Sequence, residues 1–412
     1  LSTNFTNYAA AETSISGFEN VIGTDAGDDL TGTDGPNIFE PLRGGGYSSA
    51  FTSGPDRING SGGEDLLRLD FTRDAASQGV YTNGGTMSTN LDSFFWTNVE
   101  RLEVIGTPNN DVIYNYLDGL HDDILTGNAG NDDLGAGRGG GNDTLIGGEG
   151  NDRLFAHGTF DVSYDGTNGT AGGRDFLDGG PGDDQIENFT LLNNVPTLSP
   201  DALFKMDGGP GFDTVSMNFS NQTIPMIFNG PATTSWEFPD GAYVRNFERI
   251  RHLAAGSGDD NIRQPGRFDN LIFLNGGNDT VDAGLGVDVV EAGAGDDSAA
   301  IDFSVGGTAD MGGITGGGVS NYSAYFSRAR VVSPFGTPDY ISLRNFEHIR
   351  IIGTSKVDKF FGTYASETVI AGDGDDIIGD GYNGGNDVLE GGRGNDKLTG
   401  SSGDGNTGGN DI

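Results

Sequence analysis

The chain has 412 residues, 73 of them glycine and none cysteine, with 61 acidic against 22 basic residues and a net charge of −39. Only 34% of residues are hydrophobic. That balance excludes compact folding without a counter-charge, nucleic acid as a main partner, and disulfides or thiolate-held metals. Roughly 20 divalent cations would neutralise the charge, and no run of about 18 apolar residues is present to span a bilayer. No leader is recognisable at Leu1, so export would rest on prior cleavage, another signal, or sequence beyond this chain.

Read in chain order, the sequence divides into four segments that share one plan. Residues 1–66 read as a shortened β insert, GFENVIGT (17–24), then β-roll turns with acids at Asp28 and Asp65. Asn37, in GTDGPNIFE (32–40), stands where an acid is expected and weakens that position. Residues 67–214 begin from DLLRLDFTRD (65–74), whose alternation predicts a strand. They pass Phe94, Phe95 and Trp96 and re-enter a roll through NVERLEVIGT (98–107). A regular beat follows, with acids at Asp123 and Asp132, at Asp143, Asp152 and Asp161, at Asp175 and Asp184, and at Asp213. Residues 215–299 repeat the plan with DTVSMNFSNQ (213–222), Phe228, Trp236 and Phe238, NFERIRHLAAG (246–256), and acids at Asp260, Asp269, Asp279, Asp288 and Asp297. Residues 300–412 repeat it again with DSAAIDFSVG (297–306), Tyr322, Tyr325 and Phe326, and NFEHIRIIGT (345–354). Their acids fall at Asp358, Glu367, Asp376, Asp387, Asp396 and Asp411.

Within each run the interval is nine, and GGEGNDRLF (147–155), GGPGDDQIE (179–187) and GGRGNDKLT (391–399) show the full pattern G-G-x-G-x-D-x-U-x, U being apolar. Six residues make a tight turn in which glycine permits positive φ and close carbonyl approach. Three make a short strand whose U side chain points inward. Two such units complete one coil, so each strand is expected to pair with its copy 18 residues on, with a cation between stacked turns. Carbonyl and carboxylate oxygens suit Ca²⁺, which takes about 6–8 of them. The fold predicted is all-β: several parallel β-rolls separated by β-rich inserts in an elongated, multi-module chain, without a sustained helical period.

These motifs resemble the RTX (repeats-in-toxin) family of calcium-binding β-rolls. The resemblance implies a ligand scheme in which one turn contributes the carbonyls of its second and fourth residues and its sixth-position Asp, and the turn 18 residues on contributes two more carbonyls and its own Asp. Carried over, the half-sites are Gly148, Gly150 and Asp152; Gly180, Gly182 and Asp184; Gly209, Gly211 and Asp213; Gly256, Gly258 and Asp260. Further half-sites are Gly284, Gly286 and Asp288; Gly293, Gly295 and Asp297; Gly372, Gly374 and Asp376; and Gly392, Gly394 and Asp396. Gly130, Gly141 and Gly277 join Asp132, Asp143 and Asp279 in partial ones. Asp143 with Asp161, Asp279 with Asp297, and Asp358 with Asp376 keep the unbroken 18-residue spacing.

Departures from the pattern carry expectations of their own. GTPNNDVIY (106–114) and GTSKVDKFF (353–361) lack glycine at positions two and four and read as caps without an ion. Glu367 is longer than Asp and changes the local geometry. Intervals of 11 (132 to 143, 376 to 387) and 10 (269 to 279) imply bulged turns. The insert aromatics read either as a core too bulky for the roll interior or as an exposed surface for a partner subunit or glycan. Glu19, Glu100, Glu248 and Glu347 recur at one place per module and either cap the next roll's first turn or complete a calcium shell. His121, His157, His252 and His348 form no zinc helix or triad, and no G-x-S-x-G elbow occurs, so the chain reads as non-enzymatic.

Two functions fit. One is a secreted structural protein of a bacterial cell surface, in a layer, filament or adhesin, folding on Ca²⁺ outside the cell and assembling with copies of itself or other surface proteins. The other is the calcium-binding carrier region of a larger secreted enzyme or toxin. Regularly spaced inserts favour the first. The resemblance adds export through a type I channel, whose C-terminal signal is not seen here. The end GGNDI (408–412) joins in frame to the start LSTNFTN (1–7), paralleling GFDTVSMNFSN (211–221). The chain therefore reads as a slice of a longer protein or as one period of a tandem array.

Overall fold

The computed structural model describes residues 13–17, 19–23, 27–41, 55–72, 79–82, 85–89, 93–115, 121–137, 141–156, 174–188, 190–192, 195–197, 204–220, 222–230, 235–238, 241–306, 311–320, 323–330, 339–363, 365–379 and 385–399. Strands dominate, with one four-residue 3-10 turn at Phe303–Gly306. No described helix is long and apolar enough to cross a membrane. The chain forms two compact units, Leu1–Ser216 with Glu237–Phe247, and Met217–Trp236 with Glu248–Ile412.

In the first unit, one face is a parallel ladder of short strands at 20–22, 38–40, 66–70, 101–105, 124–129, 144–149, 176–178, 205–207 and 243–245. The opposite face stacks 112–114, 133–135, 153–155, 185–187 and residues 214–216, also in parallel. Each strand sends one U residue inward. Leu125, Leu145, Leu177 and Met206 line one side and Ile113, Leu134, Leu154, Ile186 and Val215 the other, all fully buried. A parallel ladder buried on its inner face is stabilised by this column, at roughly 1.5–3 kcal/mol per side chain withdrawn from water. The second unit repeats the design, with 227–229, 261–263, 280–282, 298–302, 348–352, 366–373 and 388–393 on one face.

The 18-residue spacing holds for Leu271↔Val289 and Lys359↔Ile377. Elsewhere the register stretches to 20 (Ile124↔Thr144), 32 (Arg153↔Gln185) and 50 (Ser298↔His348), because a longer turn can leave the ladder and return to it without disturbing the inward column. This refines the expected roll–insert–roll plan. The strands flanking an insert are themselves rungs, since 66–70 pairs directly with 101–105. The insert widens the opposite face instead. There 93–97 pairs parallel with the preceding rung 56–59, runs antiparallel to 86–88, which runs antiparallel to 81–82, which pairs parallel with the next rung 112–114. The second unit places 339–344, 323–330 and 311–320 identically between the rungs 287–291 and 359–361.

For the insert aromatics, the core reading holds where side chains are described. Phe94, Trp96, Phe228, Trp236 and Phe238 are buried, and Phe95 alone of this set points outward. Phe71 meets Phe94 edge-on at 5.8 Å. Tyr322 lies outside the described residues. Phe94→Ala should lower stability in calcium by about 3–5 kcal/mol, read from denaturant midpoints, because Phe94 is fully buried and the cavity cannot collapse between paired strands.

The second sequence signature, N-x-E, also has a structural reason. Asn98, Asn246 and Asn345 adopt φ of +52°, +58° and +57°, a left-handed turn that Asn tolerates. Each side-chain amide then donates to the residue ending the preceding rung: Asn59 Oδ1, Asp207 Oδ1 and Glu291 Oε1. The middle residue, Val99, Phe247 or Phe346, is buried.

Candidate metal centre

The sixth-position acid sits just before its strand, where the turn folds it beneath the next coil. One of its oxygens is used by the backbone. Asp132 N–H donates to Asp152 Oδ1 at 2.8 Å, Asp152 N–H to Asp184 Oδ1 at 2.7 Å, and Asp184 N–H to Asp213 Oδ1 at 2.8 Å. On the opposite edge Asp123 N–H donates to Asp143 and Asp143 N–H to Asp175. In the second unit the chain runs Asp260, Asp279, Asp297, and in parallel Asp358, Asp376, Asp396. Glu367 N–H donates likewise to Asp387 Oδ1, and Asp28 N–H to Asp56 Oδ1. Two glutamates of the N-x-E signature, Glu100 and Glu347, stand in for the acid of the following rung. Glu100 Oε2 accepts Asp65 N–H at 2.9 Å, and Glu347 Oε2 accepts Asp297 N–H at 2.8 Å. Glu100 and Glu347 therefore cap the preceding turn, whereas the sequence offered a cap on the next roll's first turn or a place in a calcium shell.

The other carboxylate oxygen is buried with no hydrogen-bond partner in Asp65, Asp132, Asp152, Asp175, Asp184, Asp260, Asp279, Asp297 and Asp376. Leaving so many buried acceptors unmatched is costly. Burial pushes Asp132 and Asp143 up to about 8, and the like charges of neighbouring rungs add to it. It carries Asp175, Asp184 and Asp279 to about 7, and Asp65, Asp152 and Asp260 to about 6.

Backbone oxygens crowd the same place. A Cβ on Gly147 would lie 2.3 Å from Asp152 Oδ2 and 2.6 Å from Gly179 O, the first carbonyl of the next turn. Gly127 and Gly179 repeat this with Asp132 Oδ2 and Gly147 O, and with Asp184 Oδ2 and Gly208 O. Carbonyls of second and fourth residues press on the following turn, so that a Cβ on Gly180 would lie 2.3 Å from Gly148 O and one on Gly182 1.6 Å from Gly150 O. Gly180 and Gly182 also hold φ of +91° and +156°, so both space and conformation demand glycine.

Asn270 shows what such a centre accepts. Its Nδ2 donates to Asp288 Oδ1 at 3.0 Å, to Ala283 O at 3.0 Å and to Phe268 O at 3.2 Å. A neutral hydrogen-bond donor at that point gathers a sixth-position carboxylate, the first carbonyl of the next turn and the fourth carbonyl of its own. Elsewhere the same oxygen set faces an unmatched carboxylate, a hard-oxygen cage that fits Ca²⁺. Among the described residues no three acidic or imidazole side chains converge, so the cage relies on carbonyls. The first-position carbonyl was not foreseen from sequence.

Several expected ligands behave differently. Asp269 is exposed and Asn270 is the buried sixth residue, since the strand begins at Leu271; the frame expected at 269 shifts by one. Asp269 Oδ1 instead accepts Val287 N–H at 2.8 Å. Asp358 gives both oxygens to Thr354, and Asp123 receives Asn115 Nδ2 at 2.5 Å. Asp56 is a buried sixth-position acid that the sequence frame missed, because the turn before it is longer than nine. Asp161 and Asp411 lie outside the described residues. A second ladder at position five also escaped the sequence reading: Asn151 N–H donates to Asn131 Oδ1 at 2.9 Å and Asp183 N–H to Asn151 Oδ1 at 3.0 Å, on the exposed edge. The recurrence of Asn or Asp immediately before the sixth residue was the available signal.

Gly147→Ala should cost about 1–3 kcal/mol and raise the calcium midpoint of folding, because its methyl group has no space beside Asp152 Oδ2. Gly35→Ala is the control, since only Thr33 Oγ1, at 3.8 Å, would lie near the new Cβ.

A family model described as the RTX calcium-binding nonapeptide repeat matches residues 52–74, 118–140, 139–162, 170–187, 266–299, 352–378 and 382–404. No curated protein matches the chain. The matched segments include the stacked turns of Asp132, Asp152, Asp184, Asp279 and Asp376, and the chain thus carries several RTX calcium-binding nonapeptide repeats.

Proposed function

We propose that the chain is part of a secreted, non-enzymatic structural protein of a bacterial cell surface, which folds on Ca²⁺ outside the cell and assembles with copies of itself or with other surface proteins. In a calcium-poor cytosol its charge of −39 keeps it extended by self-repulsion, a state suited to export through a type I channel. Extracellular calcium, at the concentrations that fill sites of about 10⁻⁴–10⁻³ M, then neutralises the acid columns.

The observation that carries the structural reading is the recurrence of one insert design in both units. Each insert widens the same kind of face and leaves aromatic groups exposed on its strands, Tyr81 and Phe95 in one unit and Tyr340 in the other. Exposed aromatic groups on the strands of both inserts suit a module that buries surface against a partner better than one that merely carries calcium. Electron microscopy of the purified chain, with EDTA and then with millimolar Ca²⁺, tests this. Fibres or lattices on adding calcium are expected. Dispersed particles under both conditions would reject the structural role and favour a carrier region of a larger secreted enzyme or toxin.

A further inference from the structure

Among the described residues, four turns share the form G-T-x-x-x-(D/N/E), beginning at Gly32, Gly106, Gly353 and Gly362. In each, threonine replaces the second-position glycine and closes the turn on itself. Thr107 N–H donates to Asp111 Oδ2 at 2.7 Å and its hydroxyl to Asp111 Oδ1 at 2.8 Å. Thr354 N–H donates to Asp358 Oδ2 at 2.7 Å and its hydroxyl to Oδ1 at 2.9 Å. Thr363 N–H donates to Glu367 Oε1, and Thr33 N–H to Asn37 Oδ1, each at 2.8 Å. The same hydroxyl then accepts the fourth-position N–H: Asn109 at 3.1 Å, Lys356 at 3.0 Å, Ala365 at 2.9 Å, Gly35 at 3.3 Å. In the Thr107 and Thr354 turns both carboxylate oxygens are thus supplied with donors from the chain, whereas Glu367 keeps Oε2 buried and unmatched.

We propose that the Thr107 and Thr354 turns are cation-independent rungs, built-in substitutes for an ion, on which the calcium-dependent turns of each unit stack. The inference rests on the calcium reading of the glycine turns and adds a division of labour to it.

Their placement argues for this. Each sits where an insert returns to the ladder: 112–114 pairs with the insert strand 81–82, and 359–361 with 311–320. These regions also hold large buried apolar side chains, Phe94, Met87, Val99 and Leu102 in one unit and Phe346, Ile351 and Phe360 in the other. The ninth residue of each turn, Tyr114 or Phe361, stands in register with a glycine of the following rung, Gly135 or Gly379. A Cβ on Gly135 would lie 2.4 Å from the Tyr114 ring, so that ring covers the next strand. A hydrophobic core and self-satisfied turns thus coincide, and neither needs an ion.

Hydrogen exchange of the full chain, followed by mass spectrometry, tests it. In EDTA, peptides covering 101–115 and 348–363 should exchange at least about 100-fold more slowly than those covering 141–156 and 174–188, with all four protected in millimolar Ca²⁺. Thr107→Val with Thr354→Val should abolish the EDTA protection of the first pair while calcium still protects the second. A complementary variant, Thr354→Gly with Lys356→Gly, converts that turn to the glycine type. It should lose EDTA protection at 348–363, regain it in Ca²⁺, and bind about one further ion by calorimetry. Equal exchange of all four peptides in EDTA, protection that survives the valine pair, or an unchanged ion count in the glycine variant overturns the inference. Only an absence of any calcium effect on 141–156 and 174–188 would also overturn the calcium reading, so the two failures are distinct.

Discussion

Chelating calcium at neutral pH should convert most of the strand signal in circular dichroism to coil, and millimolar Ca²⁺ should restore it. The reason is the electrostatics of the acid columns. Asp132, Asp152 and Asp184 are stacked one rung apart, each at about 1% exposure and each with one oxygen unmatched. An uncompensated buried charge costs several kcal/mol, and domain stability totals only about 5–15 kcal/mol. A few ionised members of such a column are enough to unfold the glycine turns. A divalent ion shared by two turns reverses the balance, and its binding free energy becomes folding free energy. A full strand spectrum in EDTA at pH 7.5 would sink this coupling. Partial loss confined to the glycine turns is the pattern the threonine-locked rungs call for.

Acid should rescue part of the metal-free fold. Unfolded aspartates titrate near 3.8, whereas burial and neighbouring charges hold Asp132 and Asp143 near 8 and Asp175, Asp184 and Asp279 near 7 in the folded chain. The folded state therefore binds protons more tightly than the unfolded state. That contribution is complete below about pH 3.8 and is lost as pH rises through 6 to 8. In EDTA the thermal midpoint should fall steadily from pH 5 to pH 8. Calcium affinity should move the opposite way, strengthening by up to about tenfold per unit rise in pH for each proton displaced. Thermal scans in EDTA and calcium titrations across that range measure both. A metal-free midpoint that climbs with pH would contradict the buried-carboxylate account.

The sequence by itself determined the repeat, the ion and most of the core. Nine-residue timing of Asp and U residues is local information, carried within a single turn, and it placed Asp152, Leu154, Asp184 and Ile186 correctly. Glycine at positions such as 148 and 150 was legible for the same reason, because turn geometry depends on neighbours in sequence. What the tertiary structure decided depends on distant partners. Rungs pair across 18 residues at one place and 50 at another, and a beat cannot say where a longer excursion returns. Hence the inserts were read as β-rich segments separating the rolls, although their flanking strands are rungs and, in two of them, three strands widen a face. Hence also Asp269 was taken for Asn270, and Asp56 was missed. Whether an acid awaits an ion is likewise a question of what else reaches its oxygens. Asp358 keeps the spacing and chemistry of a ligand, yet Thr354 already holds it. Periodicity can time a carboxylate to the right point in a coil, but only packing shows whether a proton donor from the chain occupies the position that elsewhere falls to calcium.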